Sequence, residues 1–401
     1  MAKQAKSTNA DILAPRLVLI ITTLALVLFG LVMVFSASSV EAINNNESPF
    51  SYLIKQTGFC IIGLVGAILI WRKLPISFWR SKYVWVVAFI LFGLMLLTLI
   101  MGADILGARR WIYIGGMSLQ PSEFAKIILV LLVGKLYFDK IDGYLDTKQF
   151  IYRLAPVLMV SGALILLAQS DLGTTIICSI GILSVFWLAG APKKVLIAAL
   201  ILMCCLGIVF IFGTGYRTNR LVFLDPYNDG ADGYGAGYQT IRSRYAFAEG
   251  GLFGVGLGNS YEKFQYLPEA ETDFIFAVIG EELGLIGSLV VVALFVVFLI
   301  SGLKVAKNCA SGFGASISGA FVIMIVFQAF LNILCVIGFA PTTGKPLPFI
   351  SSGGSSLIAT LLMVGFILAA SEELPKFERK RSKIKAVQPK PKIAQPKFRR
   401  S

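Results

Sequence analysis

Apolar residues run along this chain in long blocks, and polar residues are confined to the gaps between them. Ten blocks reach or approach the roughly 20 residues that cross a bilayer as a helix. They fall near residues 16–38, 52–71, 83–101, 122–138, 153–170, 173–190, 195–213, 273–303, 313–338 and 354–371. The pattern predicts an all-α polytopic membrane protein of about ten transmembrane helices, with a large extracytoplasmic loop between the seventh and eighth. The blocks that meet near residue 170 are short and almost touch. Ser170-Asp171-Leu172-Gly173 therefore reads as a tight turn or a break inside the membrane.

The gaps carry a one-sided charge pattern. Lys3, Lys6 and Arg16 precede the first block, and Arg72, Lys73, Arg80 and Lys82 follow the second. Lys140, Lys148 and Arg153, then Lys193 and Lys194, then Lys304 and Lys307 mark later gaps. With ten spans all of these fall on one side, which the positive-inside rule assigns to the cytoplasm with both termini. Residues 1–15 then form a cytoplasmic tail and 16–371 one membrane domain. The first apolar run is too long for the core of a cleavable signal, so it is expected to stay as a span. Extracytoplasmic loops are expected near 102–121, 214–272 and 340–355. Residues 372–401 are basic and dotted with proline, a composition that predicts disorder. That tail suits an anchor on anionic lipids or a docking segment for a cytoplasmic partner.

Composition agrees and excludes several chemistries. The 401 residues are 57% hydrophobic and only 14% charged, against about 25% charged in soluble domains. Much of the net charge of +14 sits in the tail, so it is no argument for nucleic-acid binding. Histidine is absent, which excludes histidine-based triads and histidine-ligated metal or haem. Acid–base work falls to carboxylates, Lys, Tyr or Cys. Cys60, Cys178, Cys204, Cys205 and Cys335 lie in apolar runs, and Cys309 in a short basic loop. None has metal-ligand spacing, and packing is their expected role.

The most informative stretch is Leu267-Pro-Glu-Ala-Glu-Thr-Asp-Phe-Ile-Phe276, which places Glu269 and Asp273 directly before the eighth span. A carboxylate at such a boundary is half desolvated, a setting that favours a base. Helix capping by Thr272 or Asp273 is the structural alternative. Around it the outer loops hold Arg109-Arg110-Trp111, then Arg217 and Arg220 at i, i+3, then Lys345. Arginines suit phosphate oxygens, so three cationic loops around a carboxylate suggest a diphosphate site beside a base. Snorkelling and an interfacial aromatic belt would explain Arg110 and Trp111 equally. Pro346–Ser356, including Ser355, offers hydroxyls for sugar or phosphate, or a cap for span ten. Glu123 and Lys126, at i, i+3, are expected to pair inside the membrane. Glu281 is expected roughly 12 Å deeper than Asp273 along the helix, either fixing span eight against span four or lining a groove toward Asp273. The Gly250–Gly258 run resembles a dinucleotide fingerprint, but no βαβ pattern surrounds it; its glycines suit loop segments packed flat on the bundle. Asp225, Asp229 and Asp232 could serve a metal or be solvated loop charges.

Taken in order, GARRW with QPSEFAK, QSDLGT, YRTNRLVFLDPY, GAGYQTIRSRYAFAEGGLFGVGLG, LPEAETDFIFAVIGEELGLIG and PTTGKPLPFISSGGSS resemble the SEDS family of shape, elongation, division and sporulation proteins, the FtsW/RodA/SpoVE group. The resemblance covers roughly residues 16–371. GLVMVFSASS and the basic tail are similar to the division branch. It implies a peptidoglycan glycosyltransferase that polymerises lipid II at the outer face of the bacterial cell membrane, beside a class B penicillin-binding protein and other division proteins. It implies that Asp273 is catalytic and that Arg110, Lys126, Arg217, Arg220, Gln239 and Glu269 bind substrate or shape the cavity. No cofactor is required by the sequence; a divalent cation, magnesium or manganese, is an optional aid. Ser170, Arg242, Ser352 and Thr343 with Lys345 depart from the family pattern, which touches loop contacts rather than reaction class. Two other readings stay open: a flippase for lipid-linked precursor, and a non-catalytic scaffold.

Overall fold

The computed structural model describes residues 9–105, 108–114, 117–213, 222–264 and 266–372. In chain order its helices are α1 (Asn9–Asn44), α2 (Ser51–Lys73), α3 (Ile76–Trp79), α4 (Tyr83–Met101), α5 (Pro121–Ile141), α6 (Thr147–Gly162), α7 (Leu172–Leu188), α8 (Lys193–Gly213), α9 (Tyr238–Gly250), α10 (Ile275–Lys307), α11 (Gly312–Val336) and α12 (Gly354–Ser371). Each of the ten predicted spans has its helix; the short α3 and α9 are additional. Among the described residues seven helices are long and apolar enough to cross a membrane. Of the other predicted spans, α5 carries five charged side chains and α7 is only 17 residues long.

Local chemistry sets the helix ends. Pro121 occupies the first turn of α5, where its missing N–H costs no bond. Asp146 and Gln149 form a reciprocal capping box on α6. Ser311 caps α11 through the N–H of Gly314 at 3.1 Å. Beyond α6 the chain continues as a π-helical segment, Ala163–Ala168, before reversing at Ser170, whose φ is +50°. Asp171 then caps α7 by accepting from the N–H of Thr174 at 2.9 Å. The expected break near residue 170 is thus a cap-and-turn.

α5, α11 and α12 form the centre of the bundle, with most side chains buried. α2, α4 and the lower part of α10 present Ile61, Phe89, Ile90, Leu289 and Val290 outward, as lipid-facing helices do. At one end Arg16 of α1 donates to Ser371 at 2.6 Å and meets Glu372 at 3.4 Å, with Arg72 of α2 at 3.9 Å from the same carboxylate. This basic end fixes a common floor for α1, α2 and α12.

Three features of the end opposite the basic one differ from the sequence expectation. The loop after α4 is a small antiparallel sheet, β1 (Ala103–Ile105), β2 (Ala108–Ile114) and β3 (Met117–Leu119), in that spatial order. The long loop after α8 contains α9. α10, expected as one continuous span, is broken at Gly284, with φ +66° and ψ −165°.

The break is stitched by the glycine-rich segment. Val255 and Gly256 donate to the carbonyls of Glu281 and Glu282, both at 3.0 Å. Leu285 and Ile286 donate back to the carbonyls of Gly251 and Leu252 at 2.9 and 3.2 Å. Four backbone groups that lose helical partners are satisfied by one loop. A side chain on Gly284 would sit 2.6 Å from the Leu252 carbonyl, so only glycine admits this approach.

The break also corrects the expected place of Glu281 and Glu282. Neither reaches α5. Glu281 accepts from Ser260 at 2.6 Å and from the N–H groups of Tyr261 and Glu262 at 2.5 and 3.3 Å. Glu282 accepts from Ser36 of α1 at 2.7 Å and pairs with Lys263 at 2.9 Å. The two acids hold the 258–263 loop on α10 instead of fixing α10 to α5. Nor does Glu281 lie a straight 12 Å below Asp273. Glu282 is bonded to Ser36, and the Asp273 carbonyl to Asn332. Each of those partners stands about 20 residues, roughly 30 Å, along its helix from the basic end. Residues 273–283 therefore run across the end of the bundle opposite the basic end rather than down from it.

Candidate active site

A cavity of about 340 Å³ opens at the end of the bundle opposite the basic end. Its walls include Arg110 and Trp111 of β2, Gln120 before α5, Gln239 of α9, Glu269, Thr272 and Asp273, Asn332 of α11, Thr342–Pro346, and Ser356 of α12. β2, the start of α5, α9, the 269–273 turn, α11, the 342–346 loop and α12 thus meet on one space. Of the three carboxylates in the LPEAETDF stretch, Glu269 and Asp273 line it.

The approach to Asp273 is a strained turn. Glu269 has φ +57°, unusual for a residue with a side chain. Its carbonyl accepts from the N–H groups of Thr272 and Phe274 at 3.2 and 3.1 Å. The Thr272 hydroxyl donates to the Glu269 carboxylate at 2.6 Å. Capping by Thr272 or Asp273 is not what the structure shows: α10 begins after Phe274, which has no side-chain acceptor. The side chain of Asp273 lies beside the bare backbone of Gly344, whose φ is +66°.

Asn332 ties the two walls together. Its side-chain amide donates to the carbonyls of Asp273 and Lys345, both at 2.8 Å. Two carbonyl acceptors fix which end of the amide is nitrogen. One turn earlier on the same face, Gln328 donates to the Pro346 carbonyl at 2.9 Å.

Beneath the floor lies a buried charge network. Lys345 pairs with Asp171 at 2.9 Å and with Glu123 at 3.2 Å. Lys126 pairs with Glu123 at 2.7 Å and donates to Gln328 at 2.9 Å. Asp171 also accepts from the Thr174 hydroxyl at 2.8 Å and from Gln120 at 3.3 Å. Two acids and two lysines balance, as buried charges must. Above them Arg110 donates to the carbonyls of Gln169 and Ser170 at 2.6 and 2.7 Å. Neutral carbonyls leave its charge uncompensated by those bonds, so the network with Arg110 has a cationic upper surface.

The sequence-predicted residues separate accordingly. Arg110, Gln239, Glu269, Asp273 and Lys345 line the cavity. Lys126 lies below it, completely buried, and reaches the site only through Glu123 and Gln328. Ser355 is buried beside it, accepting from the Gln120 N–H at 2.9 Å and donating to the Ser118 carbonyl at 3.3 Å. That joins the sheet to α12. Arg217 and Arg220 lie outside the described residues. Gln120, Asp171, Gln328 and Asn332 were not singled out from sequence. Gln328 and Asn332 carried a readable signal: two amides at i, i+4 in an otherwise apolar span.

The acids proposed as metal ligands or solvated charges also resolve in part. Asp229 accepts from the N–H groups of Ala231, Gly233 and Gly235 at 2.9 Å and of Gly237 at 3.0 Å. Those four bonds hold its carboxyl down to about 2 and shape the loop that delivers α9 to the cavity. Among the described residues no cluster of three or more Cys, Asp or Glu is placed to hold a metal ion.

Comparison with known proteins places this architecture. A family model described as "Cell cycle protein", that of FtsW, RodA and SpoVE, matches residues 16–376. Stage V sporulation protein E of Bacillus subtilis is 37% identical over 371 residues, covering 89% of this chain and 97% of that protein. The "Probable peptidoglycan glycosyltransferase FtsW" of Nitrosococcus halophilus is 38% identical, covering 91% and 95%. Among solved structures, a chain of a peptidoglycan synthase complex superposes with a TM-score of 0.68 at 28% identity, covering 88% of this chain and 96% of that one. RodA of Thermus thermophilus gives 0.63 at 26% identity, covering 88% and 95%. With the family model matched along nearly the whole membrane domain, this chain belongs to the FtsW/RodA/SpoVE family of multi-pass membrane proteins and is FtsW-like within it.

Proposed function

We propose that this protein is a peptidoglycan glycosyltransferase that polymerises lipid II at the outer face of the cytoplasmic membrane during septal wall synthesis. The carrying observation is the placement of Asp273 on a polar cavity at the outer membrane boundary, beside Arg110 and over a charge-balanced floor. The names of its relatives support the same reaction class.

In this reading Asp273 accepts the proton of the acceptor sugar's 4-hydroxyl as that oxygen attacks the anomeric carbon of the donor. The bond from carbon to the diphosphate oxygen breaks, and undecaprenyl diphosphate leaves with its electron pair. Attack from the opposite face inverts the anomeric centre. A sugar hydroxyl is too weak an acid to ionise first, so transfer to Asp273 accompanies attack, worth about 10²–10⁴-fold. Arg110 has five N–H donors, of which two serve the Gln169 and Ser170 carbonyls. The rest suit a phosphate oxygen on the leaving group. Gln239 and Glu269 would contact sugar hydroxyls, with Arg217 and Arg220 as further phosphate ligands. Lys345, committed to two carboxylates, supports the floor.

A bound divalent cation would offset diphosphate charge, but the described protein donors do not form a cage for one, and no step depends on it here. A penicillin-binding transpeptidase is the expected partner, consistent with the synthase complex this fold matches. Both termini are assigned to the cytoplasm. The flippase reading gains nothing from the buried charges, which neutralise one another.

The test is polymerisation of purified lipid II, with and without the cognate transpeptidase, by wild type and Asp273→Asn. The variant should insert and fold normally yet lose at least about 10²-fold in rate. An Asn variant polymerising at the wild-type rate would refute the assignment.

A further inference from the structure

We propose that residues 251–258, in the large outer loop, are immersed in the outer leaflet of the membrane, and that the partner of this surface is lipid. The segment reads Gly-Leu-Phe-Gly-Val-Gly-Leu-Gly and carries no charged or hydrogen-bonding side chain. Burial would explain that composition in a soluble loop, but these side chains are not buried. Leu252 is 60% exposed, Phe253 78% and Leu257 53%. Four large apolar residues, Val255 included, point away from the protein within six positions.

Depth is fixed by the hydrogen bonds at the Gly284 break. The segment is bonded on both sides to residues 281–286 of α10. Glu282 is bonded in turn to Ser36, roughly 30 Å along α1 from the basic floor at Arg16. A hydrocarbon core is about 30 Å thick. The segment therefore lies where the acyl region meets the headgroups, not in the water above.

Continuity identifies the occupant. Leu285 and Ile286, whose N–H groups bond to Gly251 and Leu252, are themselves half exposed, and Leu289 and Val290 follow one turn below. That stripe is the lipid-facing side of a transmembrane helix, and the loop extends it upward without a polar interruption. Further along the same loop, Tyr261 and Tyr266 stack at 4.8 Å with Arg242 over the Tyr266 ring at 4.6 Å. Tyrosine and arginine at that level suit headgroups. An exposed apolar segment flanked by an aromatic-cationic cluster matches an interfacial element seated about 5–10 Å into the leaflet. The immersed wedge would hold α9 and the Asp273 turn at constant height above the bilayer.

The test uses the full chain in lipid nanodiscs. A nitroxide is placed at Phe253→Cys, with Leu289→Cys as the lipid-facing reference and Tyr234→Cys as the aqueous one; the parent chain treated identically subtracts native thiols. Collision with oxygen and with a water-soluble nickel chelate is read by electron paramagnetic resonance. Each sample must be monodisperse and melt with the parent, and Leu257→Cys replaces Phe253→Cys if that variant fails to. The oxygen-to-nickel ratio at 253 should exceed that at 234 several-fold and approach that at 289. A ratio equal to that at 234 overturns the proposal. Shielding from both reagents overturns it too, in favour of a protein covering the segment.

Discussion

Asn332 donates to the backbone carbonyl of Asp273 at 2.8 Å, and the same amide nitrogen reaches the carbonyl of Lys345 at 2.8 Å. One side chain from the rigid core helix α11 thus sets the distance between the loop bearing the acid and the loop facing it. Positioning of this kind is worth far more in rate than in stability, because misplacement by about 1 Å can cost about 10²-fold. Asn332→Leu should lower kcat about 10–100-fold with little change in KM, and Asn332→Gln should recover part of it. Steady-state kinetics on lipid II check this. A lowered melting temperature with unchanged kcat would reduce Asn332 to a packing role.

Lys345 invites a different expectation from the one its loop position suggests. Its ammonium is buried between Asp171 and Glu123. Removing one partner of such a network leaves uncompensated charge, at about 3–5 kcal/mol. Lys345→Met should therefore unfold at lower temperature in detergent, and adding Asp171→Asn should restore part of the loss. If Lys345 served substrate alone, KM would rise and the melting temperature would stay.

Gly284 is the hinge of the outer half of α10. Its φ of +66° and the closeness of Leu252 and Gly254 leave no room for a methyl group. Gly284→Ala should expel the 251–256 segment, lose four backbone hydrogen bonds, and destabilise by several kcal/mol, on the order of the strain and burial terms combined. Limited proteolysis should then cut between Gly250 and Tyr266 much faster than in wild type. Unchanged protection would show that the loop stays docked and that the break does not require glycine at 284.

The spans were legible because a 20-residue apolar block has few other uses, and the Glu123–Lys126 pair because i, i+3 neighbours must meet on a helix. Arg110, Gln239, Glu269, Asp273 and Lys345 line one cavity, whereas Lys126 lies beneath it. The floor was not legible. Asp171 and Lys345 are separated by 174 residues, and nothing local tells either which charge it will meet. The Gly284 break is not legible in the sequence because Gly280, Gly284 and Gly287 stand close together in one apolar run and nothing local marks which of them breaks the helix. Its meaning lies in the Gly250–Gly258 run, whose composition suits a flat-packed loop but does not name residues 281–286 as its partner. The sheet at 103–119 is hard to read in the sequence because Ala-Arg-Arg-Trp-Ile-Tyr-Ile mixes strand formers with cations.

Glu271 supplies a pH prediction. It is buried in the loop before Asp273, beside Glu41 of α1, and its carbonyl accepts from the Ser352 N–H at 2.9 Å. Burial first, then the neighbouring Glu41 charge, push its carboxyl up to about 8. A carboxyl raised in the folded state favours folding most when it is protonated in both states. Its contribution is complete below the ordinary carboxylate range near 4.5 and is lost as the pH rises through about 8. Wild type should therefore lose on the order of 1–4 kcal/mol between pH 5 and pH 9 from this group. Glu271→Gln, which keeps the shape and cannot ionise, should melt close to wild type at pH 5 and several degrees above it at pH 9. Thermal unfolding across that range decides the point: parallel pH profiles for the two proteins would mean that Glu271 does not titrate there.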